Sequence, residues 1–273
     1  MTDFEFTPDE VMVVCMARLI HDSEVVTQGL ATPLVTAAYL LAKQTHAPNL
    51  YFTSAIGQGI CRTPAPMNLS KIESLWLDRS LTNIGFISGT VDVLPHLRPK
   101  EFFRPGQIDK YGNFNNIAFG KNYSRPRMRL PGSGGIPDVT TYSEDIHLYV
   151  PRHSRVTFVS KLDFVSGLGY HPSRTRGAGP KYIVTDLGQF DFANKKMRLI
   201  SYHPGVSLNR IQNRTGFELE LSPDLHETPP PSANELSLLR QKIDPLGIRR
   251  LELLGGTARR EKLYEILAIE KVI

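Results

Sequence analysis

The chain has 273 residues, 41% of them apolar and 22% charged, which is enough to bury a full core and excludes a disordered polypeptide. Its 32 Lys and Arg against 27 Asp and Glu leave a formal +5, too small a surplus to mark a nucleic-acid binder by itself. The longest mostly apolar run, residues 30–42, is 13 residues long, short of the roughly 20 that a membrane helix needs, and the first six residues carry no basic or apolar leader pattern.

Thr7-Pro8-Asp9-Glu10 predicts a helix start, with Thr7 as cap, Pro8 at the first helical position and Glu10 returning the bond of a capping box. The apolar residues that follow cover much of the circumference, so this helix is expected to be buried on most sides. Residues 25–27 read as a short strand ended by Gly29, 34–43 as a second helix and 50–53 as a buried strand. Helix, strand, helix, strand with short connections predicts an α/β domain with a largely parallel sheet, whose ligand site lies at the carboxyl ends of the strands.

Residues 95–137 differ in texture, being dense in Gly, Pro, Asn and Arg, with turn signals at 110–113 and 131–135. Between Arg98 and Arg129 stand eight basic residues against two acids, Glu101 and Asp109. A basic loop of this kind inside a regular domain reads as a site rather than a linker. Beyond it, 146–150, 155–164, 182–186 and 197–202 read as strands, 207–213 and 234–242 as helices, and 227–232 as a proline-stiffened connector. The expectation is a single domain over 1–245, with 246–273 as a C-terminal extension. Cys15 and Cys61 form no CxxC and no zinc set, no cluster has metal-ligand spacing, and a reducing cytoplasm is the expected compartment.

Gly132-Ser133-Gly134-Gly135 can aim successive N–H groups at one point, as an anion nest or oxyanion hole does, although a plain turn has the same wording. The decamer 106–115 sets Gln107, Asp109, Asn113 and Asn115 around a tight turn, able to lock the loop or to bind a ligand. His171 and His203, each followed by proline, are conceivable general bases, but such histidines more often satisfy a backbone group. No nucleophile elbow surrounds Ser54, Cys61 or Ser166, and Trp76 reads as core.

Five separated words, 50–55, 107–115, 129–135, 182–188 and 243–245, resemble in order the β subunits of family I CoA-transferases, glutaconate CoA-transferase in particular. The resemblance implies a layered α/β sandwich of the CoA-transferase, sugar-phosphate isomerase type, and a homologous α subunit in a heterodimer or heterotetramer. In those β subunits a glutamate at the end of the 50–52 strand attacks the acyl-CoA; Thr53 stands at that position here, followed by Ser54. A hydroxyl cannot carry CoA through an acyl anhydride, so transfer through this residue is not expected.

The words 165–170, 188–192 and 203–206 resemble instead the β subunits of steroid-degradation hydrolases that open a ring of a CoA-linked substrate. That resemblance implies retro-Claisen cleavage of a cyclic keto-acyl-CoA, with the general base on the α subunit. It implies Thr53 and Ser54 lining the vacated space, and Gly134 and Gly135 stabilising the enolate as catalytic donors. Gln107, Asn113, Asn115 and Ser133 would touch substrate, and Arg125, Arg127 and Arg129 would hold the CoA phosphates. Coenzyme A enters as part of the substrate, with no bound cofactor, no metal, no nucleic acid and no membrane. A CoA-transferase β subunit and a non-catalytic structural subunit are the alternatives.

Overall fold

The computed structural model describes residues 5–29, 32–54, 59–64, 66–71 and 78–272; Trp76 lies outside them. The chain forms two compact units, residues 1–102 with 230–273, and residues 103–229. Among the described residues no helix is long and apolar enough to cross a membrane.

The first unit is built on strands β1 (Val25–Gln28), β2 (Tyr51–Ser54), β3 (Gly59–Cys61), β4 (Ser80–Asn83) and β5 (Lys100–Phe103). Strand β1 runs parallel to β2 and β5, with Thr27 opposite both Thr53 and Glu101, while β3 and β4 continue antiparallel from β2. Helix α1 (Pro8–Arg18) begins with the expected capping box, the Thr7 N–H donating to Glu10 Oε2 at 3.0 Å. Residues 9–17 are all buried, as a helix apolar on most sides requires. Helix α2 (Pro33–Gln44) buries Leu34, Val35, Ala37, Ala38 and Leu41, and sends the Tyr39 hydroxyl to the Thr27 carbonyl at 2.9 Å.

Residues 246–273 are more than an appendage. Ile248, Arg249, Leu251 and Glu252 are buried, and Glu252 Oε1 accepts the Leu34 N–H at 2.9 Å, satisfying one of the open donors at the start of α2. Arg249 reaches Glu10 at 3.1 Å and Asp244 at 3.0 Å, and its Nε lies 2.7 Å from Asp9 Oδ2, near enough for charge pairing. Three carboxylates therefore share one buried guanidinium, and this tie fixes the C-terminal segment against α1.

The second unit opens on two hairpins, β6 (Gln107–Ile108) with β7 (Phe114–Asn115) and β8 (Ala118–Phe119) with β9 (Met128–Arg129), which shape the basic stretch. Its larger strands are β10 (Ile146–Val150), β11 (Tyr182–Thr185), β12 (Gly188–Ala193), β13 (Lys196–Tyr202) and β14 (Glu220–Glu227). Here β10 is parallel to β11, β11–β12–β13 are antiparallel, and β14 returns parallel to β13. The side chains of Phe114, Ile146, Leu148, Phe158, Ile183, Phe190 and Leu199 pack as its core.

The strand expected over 155–164 is a loop, touching β6 through one bridge between Ile108 and Phe158. Only Phe158 is driven inward, stacking on the His153 ring at 3.7 Å, while Val156 stays exposed. The glycines of 166–169 have a packing reason: a Cβ on Gly169 would stand 2.2 Å from the Gly112 carbonyl carbon, so the two loops meet backbone to backbone.

Candidate active site

In the first unit the carboxyl ends of β1, β2 and β5 lie side by side, the position at which parallel α/β sheets bind ligands. Thr53 is buried, and its hydroxyl donates to the Val26 carbonyl at 3.2 Å and meets the Thr27 hydroxyl. A hydroxyl held this way, with no base beside it among the described residues, is not set up as a nucleophile.

Thr53 and Ser54 border a small, partly open pocket lined by Ile60, Ile84, Phe86, Val93, Leu94 and Leu97. The wall comes from residues 84–97, including the short helical turns Phe86–Ser88, Gly89–Val93 and Leu94–Leu97, which sequence patterning did not single out. Among the described residues no charged side chain lines this pocket.

Two further polar groups stand at the same strand ends. Gln28 is 1% exposed, with both amide atoms unpartnered among the described residues. Glu101, opposite Thr27 on β5, is buried without an ion-pair partner among the described residues, and desolvation pushes its carboxyl up to about 8. In the sequence Glu101 stands out only as one of two acids within the basic stretch. Its signal was the order Lys100-Glu101-Phe102-Phe103, in which one residue of each successive pair must face the opposite side of a strand. Lys100 turns to the helical face, 2.7 Å from Glu24, and so leaves the basic rim.

The second unit holds the other residues named from sequence. Gly134 is in the left-handed region (φ +50°) and Gly135 precedes the helix Ile136–Tyr142. Both are exposed, a Cβ on either would meet open space, and their N–H groups make no hydrogen bond among the described residues. Ser133 is half-buried beside them, its carbonyl accepting the Ile136 N–H. N–H groups without a partner among the described residues are one requirement of an oxyanion site.

Gln107, Asn113 and Asn115 do not have the surroundings of ligand contacts. Gln107 Oε1 accepts from Asn115 Nδ2 at 2.8 Å and from the Asp163 N–H at 3.1 Å. Asn115 also donates to the Ala118 carbonyl, and Asn113 bridges Asp109 and the Gly169 N–H. All three are buried with their polar groups spent on one another and on backbone, which locks the loop and leaves little for substrate.

His203 is a core residue: its Nε2 donates to the Thr185 carbonyl at 2.8 Å, and burial lowers its pKa to about 4. His171 pairs with Ser173 at 2.6 Å, at the surface. Burial pushes the Cys15 thiol up to about 12 and raises that of Cys61, so neither is a nucleophile. Arg125, Arg127 and Arg129 are on the surface; Arg129 lies over the Tyr123 ring at 4.3 Å and Arg127 over Phe119 at 6.0 Å, which holds their charges at the β9 hairpin.

Residues 10–214 match the coenzyme A transferase family. The chain belongs to that family. A glutaconate CoA-transferase chain of Acidaminococcus fermentans is 30% identical over 266 residues, covering 90% of this chain and 96% of its own. The cholesterol ring-cleaving hydrolase IpdB subunit of Mycobacterium tuberculosis is 29% identical over 257 residues, covering 90% and 98%. Among solved structures, the decarboxylase AibA/AibB superposes with a TM-score of 0.77 at 29% identity, over 92% of this chain and 100% of that one. Relatives named for three different chemistries thus stand at nearly equal distance. Overall likeness does not choose among them, and the choice passes to the residues at the strand ends.

Proposed function

We propose that the chain is the β subunit of a heteromeric, acyl-CoA-dependent hydrolase that opens a ring by C–C cleavage in a cyclic keto-acyl-CoA. The observation that carries this reading is the apolar pocket over Thr53. A hydrogen-bonded hydroxyl occupies the end of β2, and among the described residues the walls above it carry no charge. A dicarboxylic acyl group of the glutaconate kind would need a cation there, whereas a fused hydrocarbon ring buries apolar surface against Ile60, Ile84, Phe86 and Leu97. The partner is a homologous α subunit, as the relatives named IpdB and AibA/AibB and the glutaconate enzyme suggest, and a cytoplasmic location suits two free, buried cysteines.

In this reading the pocket of the first unit holds the ring, with Thr53 and Ser54 bordering it; in the second unit Gly134 and Gly135 offer N–H donors suited to developing negative charge. Arg125, Arg127 and Arg129 hold the CoA phosphates. Removing these three charges should weaken binding of CoA thioesters and flatten its dependence on salt, with the melting temperature hardly moved, because exposed charges contribute little to stability. Titration of the complex with CoA across ionic strengths checks this; an unchanged salt slope would place the phosphates elsewhere.

The test of the whole reading is incubation of the complex with its α partner and a cyclic β-keto-acyl-CoA, with acetate present. Ring-opened thioester is expected. Acetyl-CoA formed at the substrate's expense would instead identify a transferase.

A further inference from the structure

The geometry points to Tyr123 as an adenine platform, a stacking face for the base of coenzyme A on the same hairpin whose arginines meet its phosphates. The inference rests on the acyl-CoA reading above and deepens it, adding recognition of the base to that of the phosphates.

The hairpin of β8 and β9 carries Lys121, Arg125, Arg127 and Arg129 over residues 118–129, with no acid in that stretch. Its tip is tied at several points. Gly120 takes φ +103°, a conformation that favours glycine, and donates its N–H to Asp163 Oδ2 at 2.9 Å. Asn122 Oδ1 accepts the Ser124 N–H at 2.9 Å and the Arg125 N–H at 3.3 Å, which folds residues 122–125 into a turn. The Arg127 N–H closes on the Phe119 carbonyl at 2.8 Å.

Within this frame Tyr123 is held outward. Arg129 donates to its carbonyl at 2.5 Å and lays its guanidinium 4.3 Å from the ring centroid, and the Phe164 ring meets it nearly edge-on with 6.1 Å between centroids. With both contacts made, Tyr123 is still 61% exposed. A single exposed aromatic is ordinary. One fixed by two neighbours, on a turn tied at Gly120 and Asn122 and set among four cations, presents a flat apolar face beside positive charge.

That combination selects a ligand class. A purine stacks on an aromatic face and guanidinium groups fork onto phosphate, so the match is an adenine nucleotide with more than one phosphate, the end of CoA that carries the 3′-phosphate and the pyrophosphate. A nucleic-acid strand calls for successive rings, whereas Phe119 and Phe164 are half-buried and leave Tyr123 as the open ring of the hairpin. From Arg129 the chain reaches Gly134 in five residues, a span of no more than about 18 Å, so the nucleotide and the thioester of one long ligand meet the same stretch of chain.

The experiment measures binding of CoA, adenosine 3′,5′-bisphosphate, 4′-phosphopantetheine, ATP and a single-stranded oligoadenylate to the αβ complex of wild type, Tyr123→Ala and Tyr123→Phe. Tyr123→Ala is expected to weaken CoA and the bisphosphate by about ten- to a hundredfold and to leave 4′-phosphopantetheine, which has no base, unchanged. Tyr123→Phe keeps the ring and should stay within about threefold of wild type. The loss in Tyr123→Ala should persist at high salt, where an effect of charge fades. If wild type binds CoA and Tyr123→Ala binds CoA and the bisphosphate within about twofold of it, the platform is overturned and the acyl-CoA reading stands. Tighter binding of ATP or oligoadenylate than of CoA would also overturn it, as would loss of the α subunit from Tyr123→Ala in sedimentation with nucleotide affinity intact. A complex that binds the bisphosphate through Tyr123 but opens no cyclic keto-acyl-CoA keeps the platform and sinks the hydrolase reading. If wild type binds neither CoA nor the bisphosphate, both fall.

Discussion

Arg249→Met is expected to lower the stability of the chain by about 3–5 kcal/mol, the usual result of stripping the partner from buried charges. Methionine keeps the length of the side chain but leaves Asp9, Glu10 and Asp244 facing one another without their shared guanidinium. Burial already pushes the Asp244 carboxyl up against the opposing pull of Arg249, so the variant should relieve repulsion by taking up protons and should regain stability toward acid. Glu10 behaves differently in the wild type. Burial raises its pKa, but hydrogen bonds from Arg240 and Thr7 and the charge of Arg249 outweigh that and hold it below the ordinary 4.5. Its stabilising share is therefore present above about pH 4.5 and lost as pH falls through the lowered value. Urea unfolding of wild type, Arg249→Met and the exposed control Arg250→Met measures the effect. A loss for Arg249→Met no larger than that of the control would mean that the cluster does not hold residues 246–273 in place.

Gly134→Val is expected to reduce turnover of the αβ complex by about 10²- to 10³-fold with little change in KM, the signature of a donor used only as charge develops. The substitution acts through conformation rather than bulk. A Cβ at Gly134 meets open space, but φ of +50° is a region that a β-branched residue avoids, so the loop must change conformation and redirect its N–H groups. The melting temperature should change little, because the loop is exposed. Turnover unchanged by Gly134→Val would remove the oxyanion role from this loop and favour a subunit that is only structural.

Where regular elements carry local patterns, the sequence was readable. The capping box at Thr7 and Glu10, the apolar run of α2 and the strand ending in Thr53 all announced themselves through residues a few positions apart. The elements that escaped notice are those whose pattern is set by distant partners. Strand β14 contains Pro223 and mostly exposed residues, as an outer strand can, and nothing local marks it. Strand β5 reads as polar because Lys100 and Glu101 are charged, yet both are buried on opposite faces, one compensated by Glu24 and one not. Residues 155–164 have the alternation of a strand, but only Phe158 has a core to enter.

The site divided in the same way. Thr53 and the Gly132–Gly135 loop could be located from their wording, because a strand end and a glycine-rich turn are local features. Gln107, Asn113 and Asn115 looked like ligand contacts for the same chemistry that makes them good loop locks; only their hydrogen bonds to Asp109, Asp163 and the backbone separate the two roles. The apolar wall at 84–97 and the isolation of Glu101 depend on which strands lie side by side, which no short word records.

On the proposed reading this member of the coenzyme A transferase family moves water, and not CoA, through the space above Thr53. The most direct measurement is mass analysis of product and protein after turnover of the αβ complex on a cyclic keto-acyl-CoA in ¹⁸O-enriched water. One heavy oxygen is expected in the newly formed carboxylate, with an intact thioester and no borohydride-sensitive glutamyl-CoA adduct on either subunit. A borohydride-sensitive glutamyl adduct, with CoA passed to an added carboxylic acid and no heavy oxygen in a new carboxylate, would contradict that reading.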